Sequence, residues 1–201
     1  MDIHQQVAHQ WWHQPVHFPG AILAYRNNLI VMSGAEWNPE TNLPEAERRV
    51  ITPEEFRSGR VVIGDPELIR YLAEHPEALR SVLTWRQFEE LVAELLKKSK
   101  HEVHLSRRGR DGGIDIVAYR AGEFGPELTL VQCKHWEDKV GEPVVKQLYA
   151  DVDLRRATHG LLVTTSHFTR DALKRIEEVK YRLAGRDLDA LQDWMKKTVG
   201  G

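Results

Sequence analysis

The chain has 201 residues, 41% of them hydrophobic, with a formal net charge of −2, a pI near 6.6 and one cysteine. That length suits one domain with an extension, or two small ones, around an ordinary soluble core. The lone cysteine excludes an intramolecular disulfide framework, the lack of a long apolar run argues against a membrane span, and the near-neutral pI argues against a uniformly basic nucleic-acid coat.

The amino terminus shows no basic region followed by an apolar stretch, so a cytoplasmic protein is expected. Charge is uneven: the first 82 residues hold 7 Lys and Arg against 11 Asp and Glu, and the remainder 21 against 19. Residues 1–15 read as a short helix ending before Pro15, because the residue preceding a proline disfavours helical geometry. His4, His9, His13 and His17 raise the thought of a zinc site, but no cysteine joins them, and Trp11 and Trp12 suggest amphipathic packing. AILAYRNNLIVMSG reads as a hairpin turning at Asn27 and Asn28, which tolerate positive φ. Residues 35–60 look mostly like loop, and RVVIG like one short strand. Together, residues 1–64 form a small β-containing extension.

DPELIRYLAEHPEALRSVL then switches to helical patterning, with Asp65 as N-cap, Pro66 at the first helical position and a break near Pro76. Residues 65–82 are expected to be a helical linker. In the next helix Thr84 and Gln87 form a capping box, Leu83 and Phe88 a staple, and Phe88, Leu91, Val92, Leu95 and Leu96 one apolar stripe. Glu89 and Glu90 flank that stripe, where a solvated helix face is the ordinary explanation. HEVHLSRR reads as a strand running into Arg107, Arg108 and Arg110, a solvated loop or a phosphate contact.

Asp111 to Trp136 is the informative stretch. GIDIVAY and LTLVQCK alternate with period two, and AGEFGP between them has turn punctuation, so a β-hairpin follows. A register symmetric about the midpoint of Ala121 to Pro126 sets Asp115 opposite Gln132. Gln132 and Lys134 share a strand face while Cys133 and His135 point away. Asp115 and Gln132 are an oxygen pair suited to Mg2+, with a lysine beside them; a merely solvated strand face is the alternative. Cys133 reads as a small buried hydrophobe, and Trp136 as packing. Beyond the hairpin come a helix (EPVVKQLYADVDLRRA), a buried strand (HGLLVTT), a helix capped by Thr169 with a Phe168–Leu173 staple, a short strand near Tyr181 to Ala184, and a last helix (DLDALQDWMKK). The order is αβββαβα with one further strand: an α/β mixed sheet flanked by helices.

FEELVAELL, DGGIDIVAY, VQCKHW, VGEPVVKQLYADV, LLVTTSHFT and KYRLAGRDLDALQDWMKK, in this order, resemble the catalytic domain of Mrr-like restriction endonucleases, a branch of the PD-(D/E)xK nuclease superfamily. The resemblance covers residues 83–197 within a domain assigned to 83–201, and implies a restriction-endonuclease-like fold with an αβββαβ core. By resemblance Asp115 is the metal-binding aspartate, Gln132 occupies a position that is acidic in other branches, Lys134 is the motif lysine, and Glu89 supplies a further carboxylate. Gln147 matches a recurrent polar residue facing the site, and Asp111 in the DGG turn reads as a turn-former.

The implied chemistry is Mg2+-dependent hydrolysis of a DNA phosphodiester, with Mn2+ as a substitute, in restriction or defence. The metal would be held by Asp115, the Gln132 carbonyl and the Cys133 backbone carbonyl, with Glu89 restoring the charge that Gln132 lacks. Thr164, Thr165 and Ser166 are assigned to the DNA backbone, with turn capping as their alternative role. Double-strand cleavage implies a homodimer or a transient pair on DNA, and the acidic extension is a place for a protein partner. A repair or recombination nuclease acting on branched or damaged DNA, and a non-cleaving DNA-binding subunit, are the competing functions.

Overall fold

A computed structural model describes residues 62–106 and 113–200, together with the course of four short strands between residues 22 and 44. The chain divides into a unit over Met1–Arg49 and another over Val50–Gly201. In the first, β1 (Ile22–Arg26) and β2 (Leu29–Ser33) pair antiparallel with Arg26 opposite Leu29, the strand pairing expected of this hairpin. β3 (Trp37–Asn38) and β4 (Leu43–Pro44) add a second small pair inside a segment expected to be loop. The helix and histidine readings at the amino terminus lie outside the described residues.

The second unit contains α1 (Pro66–Glu74), α2 (Ala78–Ser81), α3 (Trp85–Lys98), β5 (Glu102–Leu105), β6 (Ile116–Gly122), β7 (Gly125–Lys134), α4 (Glu142–Leu154), β8 (His159–Thr164), α5 (Arg170–Glu178), β9 (Leu183–Arg186) and α6 (Leu188–Val199). The strands form one sheet in the order β5-β6-β7-β8-β9. The first two pairings are antiparallel and the last two parallel, which is the mixed sheet expected. Side chains alternate across it. Ile116, Ala118, Val131, Cys133, Leu161 and Val163 pack with α1, α2, α3 and α6, whereas Leu130, Leu162 and Leu183 pack with α4 and α5. The result is a three-layer αβα arrangement.

Local signals set the helix starts. The Asp65 carboxylate accepts from Glu67 N with Pro66 in the first turn. The Thr84–Gln87 capping box is complete, and Thr169 and Asp187 cap α5 and α6. Leu173 is half exposed, so the staple expected with buried Phe168 is not buried at both ends.

Three expectations are corrected. Residues 62–64 form a turn, not a strand. The final strand starts at Leu183, two residues later than expected, because the chain turns through Lys180–Arg182 before pairing. Residues 65–82 are not a linker: Leu68, Ile69, Leu72, Ala73, Ala78 and Leu79 are buried in the same core as α3 and α6. Two hydrogen bonds fix them there, from Gln192 Nε2 to Ala73 O (3.0 Å) and between His135 Nε2 and Leu79 O (2.8 Å). Periodicity marks an apolar face but not what covers it. Leu72→Ala is therefore expected to destabilise the Val50–Gly201 unit by about 2–5 kcal/mol in urea denaturation; a change within roughly 0.5 kcal/mol, as a surface linker would give, contradicts the packing.

Candidate active site

The site begins where a strand ladder ends. β6 and β7 pair from Gly122 opposite Gly125 to Ile116 opposite Val131, the register expected from the sequence. One residue further, Asp115 N donates to Val131 O (2.9 Å) and Asp115 O accepts from Ser106 N (2.8 Å). The Asp115 carboxylate then accepts from Cys133 N at 2.7 Å. A side-chain oxygen takes over from the backbone, which fixes the carboxylate at the sheet edge beside Gln132 and Lys134.

Glu89 arrives from α3. It is 1% exposed, against 39% for the Glu90 side chain, because it lies on the helix face turned to the sheet. Its Oε2 accepts from Arg86 Nη1 at 2.8 Å, and Arg86 also reaches Ser106 O and Glu90. The Glu89 carboxyl lies close enough to Asp115 to act on its titration. Burial raises the Asp115 pKa above its ordinary value, opposed by the Cys133 N–H, the Lys134 charge, the Glu89 contact and the Arg86 charge.

Gln132 is 4% exposed and its Oε1 is buried without a hydrogen-bond partner. Such an oxygen costs about 1–3 kcal/mol unless something bonds it. Gly113, at φ +91°, leaves room for the amide, since a Cβ there would lie 2.9 Å from Gln132 Nε2. Asp115, Glu89 and Gln132 Oε1 are all hard oxygen donors, and the unsatisfied one is what a divalent cation would complete, so the residues fit Mg2+. The Cys133 thiol points to the opposite layer. Its pKa is raised well above the usual thiol value by burial, then by Asp115 and Glu89, which suits an inert core group.

Lys134 Nζ lies 4.9 Å from the centre of the Trp136 ring. Thr164, Thr165 and Ser166, assigned from sequence to the DNA backbone, are 0%, 0% and 3% exposed. Their hydroxyls donate inward to Lys134 O (2.9 Å), Trp136 O (3.1 Å) and Glu137 O (2.9 Å). They anchor the loop after β7 and offer no hydroxyl to a polymer outside. Gln147 is exposed on α4, beside its buried stripe of Val145, Leu148 and Val152. Arg107, Arg108, Arg110 and Asp111 lie outside the described residues. His135 faces away, its ring 5.5 Å from that of Phe88.

Sequence reasoning missed Arg86, which lies outside the matching blocks, and gave Trp136, at the end of VQCKHW, only a packing role. Arg86 was recoverable from its i,i+3 spacing to Glu89, and Trp136 from its i,i+2 spacing to Lys134. A separate surface group of His167, Asp187 and Asp189 brings ligand atoms within 4.8 Å of one another, but Asp187 already caps α6 there.

A family model described as restriction endonuclease, the Mrr catalytic domain, matches residues 80–195. The chain is 29% identical over 140 residues to uncharacterized protein y4cE of Sinorhizobium fredii, covering 66% of this chain and 36% of that protein. It is 35% identical over 91 residues to the type IV methyl-directed restriction enzyme EcoKMrr of Escherichia coli, covering 43% and 30%. The chain thus spans about a third of the length of these curated relatives. Among solved structures it is similar to the DNA modification-dependent restriction endonuclease AspBHI, with 19% identity, TM-score 0.46, and 85% and 41% of the two chains covered. For the MspJI restriction endonuclease in complex with an oligonucleotide the values are 18%, 0.43, 79% and 38%.

The raised Asp115 pKa has a consequence for stability. Between the ordinary carboxylate value and the raised one, the folded form keeps a proton that the unfolded form has lost. Stability therefore falls as pH rises through that window, and the deficit persists above it. In metal-free buffer at pH 7, Asp115→Asn, which keeps an acceptor for Cys133 N–H, is expected to raise Tm by on the order of a few degrees and to flatten the acid side of the Tm–pH profile. A lower Tm for this variant contradicts the assignment.

Proposed function

The chain belongs to the Mrr restriction endonuclease family, and on that premise we propose that it is a DNA endonuclease of restriction or defence type that uses Mg2+, with Mn2+ as a substitute. The observation that carries the reading is the meeting of Asp115, Glu89 and the unpartnered Gln132 Oε1 at the ladder end, with Lys134 acting on Asp115. Asp115, Glu89, Gln132 Oε1 and the Cys133 carbonyl are the groups assigned to hold the cation. When bound, the cation neutralises charge on the scissile phosphate and acidifies a coordinated water.

The remaining work falls to the chain itself. Glu89, held by Arg86, is the carboxylate assigned to make up the charge that glutamine at position 132 leaves out. The Lys134 ammonium orients the attacking water and stabilises charge on the phosphoryl oxygens. Arg107, Arg108 and Arg110 are assigned to the DNA backbone, as is Gln147 on α4. Cutting both strands at one place takes two such sites, so the working assembly on DNA is a homodimer or a transient pair. The acidic segment before residue 65 is assigned to a protein partner, and the cytoplasm to the place of action. No helix among the described residues is long and apolar enough to cross a membrane.

The test is cleavage of plain, methylated and branched duplexes with and without Mg2+, with methylated DNA first because the E. coli relative is described as methyl-directed. Asp115→Ala is expected to lose roughly 10³-fold or more in rate, the scale of several kcal/mol of charge stabilisation. Glu89→Gln should fall comparably and Glu90→Gln should stay near wild type. Undiminished cleavage by Asp115→Ala sinks the proposal.

A further inference from the structure

We propose that Trp136 is a positioning residue that holds the Lys134 ammonium in place, and that the buried Thr165 hydroxyl holds Trp136. The proposal deepens the nuclease reading and rests on it for the role of Lys134. Lysine is a point charge on a flexible four-carbon stem, so β7 alone fixes its root but not its head. The head sits 4.9 Å from the Trp136 ring centre, within cation–π range. Trp136 is 43% exposed, so an apolar core does not require an indole there. β7 has ended at Lys134, leaving residue 136 outside the sheet ladder.

What replaces the ladder is a run of hydroxyls from the end of β8. Thr164 Oγ1 donates to Lys134 O, Thr165 Oγ1 to Trp136 O and Ser166 Oγ to Glu137 O. Thr165 N also donates to Lys134 O at 3.1 Å. The carbonyls flanking the lysine and its aromatic neighbour are thereby tied to one buried strand end. The alternative, Trp136 as a stacking platform for a nucleobase, would act on substrate binding.

Three variants at two positions separate these roles, read by steady-state cleavage and by the NMR shift of the Lys134 ε-methylene protons, which a ring face moves upfield. Trp136→Phe keeps a π face, whereas Trp136→Leu keeps apolar bulk without one. Trp136→Leu should lower kcat roughly two- to thirtyfold with KM for DNA unchanged, the span of cation–π strengths converted to rate. It should also abolish the upfield shift, and Trp136→Phe should restore most of both. Thr165→Val, which conserves volume, should give a smaller loss of the same kind, and serves if Trp136→Leu does not fold. Equal losses in the Phe and Leu variants, or a loss confined to KM, overturn the proposal. If the wild-type protein cleaves no DNA, the nuclease reading falls by itself. The shift then decides positioning alone: its absence in the wild type overturns that, and its presence in wild type and Trp136→Phe but not Trp136→Leu supports it.

Discussion

Everything at the candidate site depends on one hydrogen bond, from the Cys133 N–H to the Asp115 carboxylate. A backbone ladder can continue only while both strands stay in register, and here Asp115 N has already shifted to Val131 O. The side chain fills the vacated acceptor position. This fixes the carboxylate at the point where the pairing of the two strands ends. There Gln132 and Lys134 share one face of β7, while Cys133 between them goes to the core. Glu89 then approaches from the helix covering the other face and meets Asp115 at the edge.

The centre is not built for stability. Asp115 is held half-buried with its pKa raised by that burial, Gln132 Oε1 is buried without a bond, and Gly113 is kept in a left-handed conformation that other residues resist. Each feature is costly in isolation. All three lie within one strand end, and the rest of the unit compensates with two continuous apolar layers and four helices whose caps are satisfied by side chains. A helix layer that includes α1 and α2 belongs to that compensation, which is why those helices are buried and not a tether.

Local physics was the legible part. The hairpin register followed from the symmetry of its turn, and the tip proved to be Glu123 and Phe124 between two glycines. The helix starts followed from Asp65, Thr84 and Thr169, whose short side chains reach their own backbone. The apolar stripe of α3 left Glu89 and Glu90 alike on its flanks, and only the family resemblance singled out Glu89, which the fold buries. What failed required knowledge of partners distant in sequence. Thr164, Thr165 and Ser166 look the same in a string whether they face solvent or the carbonyls some 30 positions earlier. The burial of residues 66–81 depends on α6, over a hundred positions later, as the Gln192 to Ala73 bond shows. Arg86 was missed because it lies outside the matching blocks and reaches the site only through its contact with Glu89.

The bonds from β8 to the loop after Lys134 also set an order along the chain. Glu89, Asp115, Gln132 and Lys134 all precede residue 135, and the groups anchoring the lysine's loop come only at residues 164–166. A chain synthesised as far as Glu137 already carries these four side chains. It lacks the parallel neighbour of β7 and all three anchoring hydroxyls. During synthesis, the candidate site residues are therefore made first and the strand end that ties the loop after Lys134 last.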